Sequence, residues 1–359
     1  MNYRQSALAA TEFRLGVECC RWTFAGGDGR AVAELAVRAD WDRFLGLARR
    51  HRVQAIIWHC LASLGTDVPA KVSRNLSEDS AGIVERNLVA ASASRHLLDG
   101  FREAGIDPIF IKGLTLAALA YPNPFLKMSW DVDILVAPEA VADAAIALKG
   151  FGYRLLVPSK APEKWHRTRK ESLWRGPDGS HLELHSRLAD NIELLPTLDT
   201  ASPRQDVEIS PGLVLPTLRD RELFAYLCVH GASSAWFRLK WVTDLAALLH
   251  GRSADQVGEL YHGSQDLGAG RAAAQALLLA NHIYGTPLDT GLQNELERDR
   301  ASRWLVRAAC AELGRPGEPT STPLGTLTIH WTQLLLRPGL AFKWGELRRQ
   351  VADAAGNRL

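Results

Sequence analysis

The first hundred residues carry apolar positions at spacings of three and four, the pattern typical of amphipathic helices. Examples are Phe44, Leu45, Ala48, Val53, Ile56, Ile57 and Leu61. A further helix is predicted over residues 84–101, and Gly105 ends it because glycine readily adopts the left-handed conformation found after helices. The pattern therefore predicts a helical N-terminal region over residues 1–98.

Short runs with strand composition follow and alternate with helical patterns. The strand-like runs cover residues 109–111, 131–136, 152–157, 172–175, 181–185 and a two-strand segment over 206–216. Helical patterns cover residues 114–121 and 138–148, and from 217 onward residues 220–230, 236–249 and 268–282. We therefore predict an α+β domain with a small sheet over residues 99–216, and a helical C-terminal domain over residues 217–359.

Two acids interrupt the strand-like run that begins at residue 131. Because strand side chains alternate between faces, Asp131 and Asp133 point the same way while Val132 and Ile134 point into a core. Two neighbouring carboxylates repel each other unless a cation compensates them, and a divalent ion bound through hard oxygen ligands does so. The pair therefore predicts a magnesium site. The alternative is that both aspartates lie on the solvated face of an edge strand.

A lysine and a glycine follow the short strand at residues 109–111. Gly113 lacks a Cβ and precedes a predicted helix, so backbone N–H groups can approach an anionic ligand closely. Lys112 would add a full positive charge. A strand followed by a glycine and the start of a helix predicts a phosphate-binding turn, here called the phosphate cradle.

A hairpin is predicted around the turn residues Pro177-Asp178-Gly179. Alternation places His181, Glu183 and His185 on one strand face, which makes Glu183 the candidate third acid for the site of Asp131 and Asp133. Glu171 and Asp178 are the other candidates for that position. A zinc site is less favoured than magnesium, because these histidines lack the short helical spacing of hydrolytic zinc motifs.

The composition of the chain indicates which classes of partner to expect. A formal net charge of +2 gives no electrostatic indication of a nucleic-acid partner. No apolar run approaches the roughly 18 to 20 residues that would span a membrane. Five cysteines are scattered without metal-ligand or disulfide spacing, which fits a reducing compartment. We expect a cytoplasmic protein with no membrane partner.

Taken together, these motifs resemble the bacterial uncharacterised nucleotidyltransferase family of the DNA polymerase beta superfold. The residues that carry the resemblance are Phe110-Ile111-Lys112-Gly113, Tyr121-Pro122, Lys127, Asp131-Val132-Asp133 and Glu183-Leu184-His185, with weaker marks at Leu215-Pro216-Thr217, Cys228-Val229-His230, Trp241 and Asp244. Lys112-Gly113 stands where the superfold usually has Gly-Ser or Gly-Gly. Lys127 stands where an arginine is commoner, which keeps the charge and loses the bidentate fork.

The resemblance implies a mixed sheet with flanking helices, between helical N- and C-terminal regions, and an acid triad that binds two Mg²⁺ ions, with Mn²⁺ as an alternative. It assigns the metal ions to Asp131, Asp133 and Glu183, and the nucleotide phosphates to Lys112, Gly113 and Lys127. The candidates to hold or orient the acceptor are His185, His230, Lys240 and Asp244.

The implied activity is transfer of a nucleoside monophosphate from an NTP to a hydroxyl or phosphate of a small-molecule, saccharide or peptide acceptor. Two alternatives stay open at this point. The donor could be a nucleotide sugar, with glycosyl transfer in peptide or polysaccharide biosynthesis, or the chain could be a non-catalytic peptide-binding scaffold. The sequence does not choose among acceptors.

Overall fold

The computed structural model describes residues 7–129, 131–159, 161–322 and 324–356. The chain divides into two compact units. One, here called the helical unit, comprises Met1–Leu76, Asn191–Pro196 and Phe224–Leu359, and the other, the sheet unit, comprises Ser77–Asp190 and Thr197–Leu223. The division into three regions at residues 98 and 216 stays a prediction.

Helices account for most of the regular structure. In chain order they are α1 (Thr11–Ala25), α2 (Arg30–Ala36), α3 (Trp41–His51), α4 (Gln54–Ser63), α5 (Ala70–Glu103), α6 (Leu114–Ala120), α7 (Val141–Gly150), α8 (Pro162–Trp165), α9 (Asp220–Ser233), α10 (Leu239–Leu249), α11 (Ala254–Asp266), α12 (Arg271–Tyr284), α13 (Thr290–Arg298), α14 (Arg300–Leu313), α15 (Leu327–Gln333) and α16 (Leu340–Gly356). Helix α5 begins well before the predicted residue 84, at Ala70, and no proline interrupts the chain between Pro69 and Pro108.

The strands form one five-stranded sheet and one hairpin. They are β1 (Ile109–Phe110), β2 (Asp131–Leu135), β3 (Arg154–Val157), β4 (Glu171–Arg175), β5 (His181–His185), β6 (Arg204–Ser210) and β7 (Leu213–Leu218). The sheet order is β1-β2-β5-β4-β3; of the four strand pairs described, β2–β5 is parallel and the other three are antiparallel. The fold class is α+β with a small mixed sheet and flanking helices, as predicted.

Strand alternation builds the core of the sheet unit. Val132, Ile134, Leu182 and Leu184 are all buried in one apolar cluster together with Trp174. Apolar residues of α5 and α7 belong to the same cluster, so one face of the sheet is covered by helices. The acids of β2 and β5 therefore lie on the opposite face.

The helical unit contains α1 to α4 and α10 to α16. All five cysteines of the chain are buried and free of disulfides, which agrees with their scattered spacing. Among the described helices, not one has the length and apolar composition needed to cross a membrane.

Candidate metal and nucleotide site

Strand register places three of the predicted site residues side by side. In the parallel β2–β5 pair, Asp133 lies opposite Glu183, and Asp131 lies opposite His181. His185 follows two residues after Glu183 on the same face of β5. One ligand atom from each of Asp133, Glu183 and His185 lies within 4.8 Å of the others. The sheet therefore gathers two carboxylates and an imidazole around one position.

The turn after β1 places Lys112 against these acids. Ile111 N–H donates to the Asp133 carbonyl at 3.2 Å, which extends the β1–β2 pairing to the residue before Lys112. Thr115 Oγ1 is within hydrogen-bond distance of the Phe110 and Lys112 carbonyls, at 3.1 and 3.2 Å, and so fixes the turn. Lys112 Nζ lies 2.8 Å from Asp133 Oδ1 and 3.4 Å from Glu183 Oε2. Sequence reasoning directed this lysine only at phosphate and missed its contact with the acids.

His185 lies between the two acids Asp133 and Glu183 and a third carboxylate, which belongs to the neighbouring strand. Its Nε2 lies 3.3 Å from Asp133 Oδ1 and 3.4 Å from Glu183 Oε2, and its Nδ1 lies 3.4 Å from Glu171 Oε2. Glu171 is the cross-strand partner of His185 in the antiparallel β4–β5 pair, and Lys170 forms an ion pair with it. Glu171 therefore lies on the far side of the imidazole from Asp133 and Glu183.

Burial and charge crowding act strongly on Asp131. Burial raises its pKa to about 7, and the negative charges of Asp133 and Glu183 act in the same direction, while Lys112 opposes them. Burial also raises the pKa of Asp133. A cluster whose acids resist ionisation gains most from a cation that neutralises them.

The pKa values of Glu183 and His185 are shifted in the directions that favour their charged forms. Burial disfavours the Glu183 carboxylate, but Lys112 and the His185 hydrogen bond outweigh burial and hold its pKa well below the usual range. Burial likewise opposes protonation of His185, but hydrogen bonds to Asp133 and Glu183 outweigh it and raise the His185 pKa. These shifts favour the ionised form of Glu183 and the protonated form of His185, in which both ring nitrogens donate hydrogen bonds.

A small cleft with a volume of about 10 Å³, room for roughly one water molecule, lies beside these residues in the sheet unit. It is lined by Ala90, Ser94, Phe110, Lys112, Gly113, Leu114, Thr115, Ser129, Asp131, Val132, Asp133 and Leu215. Ser129 is buried, and its Oγ has no hydrogen-bond partner among the described residues, so this hydroxyl could meet a polar ligand. Sequence reasoning missed Ser129, although its position two residues before Asp131 would place it on the same side if the strand continued. Lys112, Gly113 and the two aspartates thus share one cleft.

Gly113 has a conformation that other residues rarely adopt. It caps the start of α6 with φ +71° and ψ −123°. A Cβ added there would lie 3.7 Å from the Asp131 carbonyl oxygen and 3.8 Å from Ser129 Oγ, which is ordinary contact. The requirement for glycine therefore comes from the backbone conformation and not from a steric clash.

Gly113→Ala is expected to lower the free energy of unfolding by about 1 to 2 kcal/mol, because an alanine at positive φ is strained. Denaturant unfolding of the purified variant measures this cost. Gly150→Ala is the matched control, since Gly150 is exposed at the end of α7 and a Cβ there meets nothing within 4 Å. Equal stability of Gly113→Ala and wild type would contradict the assigned turn conformation.

The pKa of Asp131 predicts a pH dependence of stability. Its folded pKa of about 7 exceeds the unfolded value near 3.9, so between these values the folded state holds a proton that the unfolded state has released. The stabilisation that this bound proton gives the folded state is fully present below the unfolded pKa and is lost as pH rises through about 7. Between about pH 5 and pH 8 in metal-free buffer, the free energy of unfolding of wild type should fall by roughly 2 kcal/mol more than that of Asp131→Asn. Parallel pH profiles of the two proteins, measured by urea unfolding, would refute the raised pKa.

A buried asparagine on α5 positions the segment that contains Lys127. Asn87 Nδ2 donates to the Phe125 carbonyl at 2.7 Å and to the Lys127 carbonyl at 2.8 Å. Lys127 itself is buried. Asn87 was missed by sequence reasoning, and its only signal was a polar residue within a helical pattern. Its contacts fix the chain a few residues before Asp131.

The remaining acceptor candidates belong to the helical unit. His230 lies on α9 with its ring centroid 5.9 Å from that of Tyr226 and 5.7 Å from that of Trp241. Asp244 is buried on α10, and Lys240 is half-buried on the same helix. Their assignment to the acceptor stays a prediction.

The donor set fits a divalent metal ion. Two carboxylates supply the hard oxygen ligands that such an ion prefers, and the imidazole either adds a nitrogen or orients the acids. Asp133 and Glu183 are the residues that would hold the ion, with Asp131 as a further acid on the same face of β2. The fit rests on donor chemistry and burial, and it defines a possible acidic metal site.

The small mixed sheet carries this acid cluster beside a cleft lined by a lysine and a glycine. The chain matches the model of the uncharacterised nucleotidyltransferase family over residues 38–285, which makes it an enzyme of the transferase class. It therefore belongs to that family, and the resemblance predicted from Lys112-Gly113, Asp131-Val132-Asp133 and Glu183-Leu184-His185 is confirmed. No curated protein matches the chain.

Proposed function

We propose that this protein transfers a nucleoside monophosphate from an NTP to a hydroxyl or phosphate of a small-molecule, saccharide or peptide acceptor. The observation that supports the proposal best is the convergence of Asp133, Glu183 and His185 within 4.8 Å, in a chain of the nucleotidyltransferase family. The metal we propose is Mg²⁺, because the site offers mainly carboxylate oxygens. Two ions are expected, with Mn²⁺ as a substitute.

The acids have distinct proposed roles. Asp133 and Glu183 would hold a metal ion, and Asp131, whose pKa is raised in the metal-free protein, would be a further ligand. A bound divalent metal would supply positive charge that stabilises the transferred phosphoryl group and lowers the pKa of the attacking hydroxyl. The low pKa of Glu183 suits a ligand better than a proton acceptor.

The cleft residues have the proposed role of binding the nucleotide phosphates. Lys112 supplies a positive charge, Gly113 allows close backbone approach, and the free hydroxyl of Ser129 adds a hydrogen-bond donor. Lys127 is proposed to contribute charge, although its side chain is buried. His185 orients Asp133 and Glu183, since its Nε2 lies within 3.4 Å of both.

Product analysis tests the proposal. The purified protein is incubated with Mg²⁺, each of the four NTPs and pools of hydroxyl- and phosphate-bearing small molecules, saccharides and peptides. Metal-dependent pyrophosphate release, with an acceptor whose mass increases by one nucleoside monophosphate, is the expected result. Release of a nucleoside diphosphate from a nucleotide sugar, with a glycosylated acceptor, would replace this function by glycosyl transfer. Peptide binding without turnover of any donor would indicate a scaffold.

A further inference from the structure

Lys112 contacts the carboxylates that are the proposed metal ligands. Its Nζ lies 2.8 Å from Asp133 Oδ1 and 3.4 Å from Glu183 Oε2. These two acids also belong to the group of ligand atoms within 4.8 Å of one another. The Asp133 side chain is 3% exposed and that of Glu183 is 20% exposed, so water cannot fully compensate their charges. Lys112 is therefore a cation that neutralises these acids in the metal-free protein.

We propose that Lys112 is a built-in counter-cation that leaves Asp133 and Glu183 when a metal ion binds, and that the nucleotide phosphates then accept it. The inference rests on the proposed function, because it assigns the metal to these acids and the phosphates to the adjacent cleft. It goes beyond that function by making metal binding and nucleotide binding mutually dependent through one side chain.

The two cations compete for the same oxygens. A metal ion bound to Asp133 and Glu183 would lie beside the Lys112 ammonium and repel it, and the repulsion is strong where little water screens it. Lysine has a flexible four-carbon stem and acts as a point charge, so it can exchange one anionic partner for another. His185 also faces both acids, but it is fully buried on β5 and does not line the cleft, whereas Lys112 does.

The geometry gives Lys112 a second anionic destination. Lys112 lines the cleft together with Gly113 and Ser129, the residues proposed to meet phosphate. A triphosphate bound at the mouth of this small cleft would attract the ammonium and leave the acids free for metal. By thermodynamic linkage, phosphate must then increase the affinity for metal by the same factor as metal increases the affinity for phosphate.

Metal affinity in the absence of nucleotide provides the first test. Mn²⁺ binding is measured by electron paramagnetic resonance for wild type, Lys112→Gln and the control Lys149→Gln, whose lysine is exposed on α7 of the same unit. Lys112→Gln is expected to bind Mn²⁺ about tenfold or more tightly than wild type, because the competing charge is gone. Lys149→Gln should match wild type. Equal or weaker Mn²⁺ binding by Lys112→Gln overturns the inference.

The position of Lys112 provides the second test, which a purely electrostatic effect of the substitution would not reproduce. An amine-reactive label is applied to the wild-type protein and quantified by peptide mass spectrometry, with Lys149 as internal reference. Saturating Mg²⁺ is expected to increase labelling of Lys112 severalfold, and inorganic tripolyphosphate added with excess Mg²⁺ should decrease it again. Unchanged labelling of Lys112 under saturating Mg²⁺ overturns the inference.

These outcomes separate the inference from the proposed function. If wild type releases pyrophosphate from an NTP with Mg²⁺ but Lys112 neither competes with Mn²⁺ nor changes its labelling, the function stands and the counter-cation inference fails. If neither wild type nor Lys112→Gln binds Mn²⁺, the metal assignment and the inference fail together.

Discussion

Asp133→Asn is expected to lower metal-dependent nucleotidyl transfer by about 1000-fold or more, since loss of metal stabilisation worth about 4 kcal/mol corresponds to that factor. Asp133 is the acid that lies next to the other residues of the site. Its Oδ1 lies 2.8 Å from Lys112 Nζ and 3.3 Å from His185 Nε2, and its strand register places it opposite Glu183. Asparagine keeps the shape of the side chain and removes the charge that we propose binds metal.

The fold should survive this substitution. Burial raises the pKa of Asp133, so its charged form is already disfavoured in the folded protein, and a neutral isostere relieves that cost. Thermal melts measure the effect, because Mg²⁺ with nucleotide stabilises a protein that binds them. We expect ligand-dependent stabilisation in wild type and little in Asp133→Asn.

Asp99→Asn is the control for Asp133→Asn. Asp99 is exposed on α5 of the same unit, and its substitution should change neither turnover nor ligand-dependent stabilisation. If Asp133→Asn retains the full stabilisation by Mg²⁺ and nucleotide, the metal does not bind at this position. Loss of stabilisation in both variants would instead point to a general electrostatic effect of removing acids.

The alternation of side chains along the strands could be predicted from the sequence alone. Val132 and Ile134 are buried in the core as expected, and the acids of β2 lie on the other face. This part of the prediction depends only on the two-residue period of a strand, which holds whatever the strand pairs with. The family could be predicted from a resemblance of motifs, because those motifs are short and local.

Strand register was harder to predict. The position of Glu171 relative to the site acids could not be predicted, because the sequence did not fix the register of the strand that contains it. In the structure the hairpin loop spans residues 176–180, and Gly176 N–H donates to the Ser180 carbonyl at 2.8 Å. Once that loop is fixed, the antiparallel pairing of Glu171 with His185 follows directly. The turn at Pro177-Asp178-Gly179 indicated the hairpin but not this register.

The contact between Lys112 and the acids could not be predicted locally. Lys112 and Glu183 are 71 residues apart, and the parallel pairing of β2 with β5 brings the strands together over a long connection. Neither a period nor a turn motif fixes such a pairing, because it depends on how α7 and the β3–β4 pair pack. The sequence therefore predicted which residues carry charge, and the tertiary structure determines which charges meet.

Glu183→Gln is expected to lower turnover by about 100-fold or more while sparing much of the nucleotide affinity. The structure supports a ligand role, because Lys112 and His185 keep the Glu183 pKa well below its usual range and hold the side chain ionised. Glutamine keeps the shape and a carbonyl oxygen but lacks the charge. Nucleotide binding should persist, because Lys112, Gly113 and Ser129 line the adjacent cleft and remain unchanged.

Steady-state pyrophosphate release and calorimetric titration of nucleotide separate the effects of Glu183→Gln on turnover and on binding. Glu208→Gln is the matched control, since Glu208 is an exposed strand glutamate on β6 of the same unit. Glu171→Gln is the informative comparison, because Glu171 reaches His185 from the side away from Asp133 and should affect turnover less. If Glu183→Gln retains near wild-type turnover while Glu171→Gln loses it, Glu171 and not Glu183 is the third acid of the site.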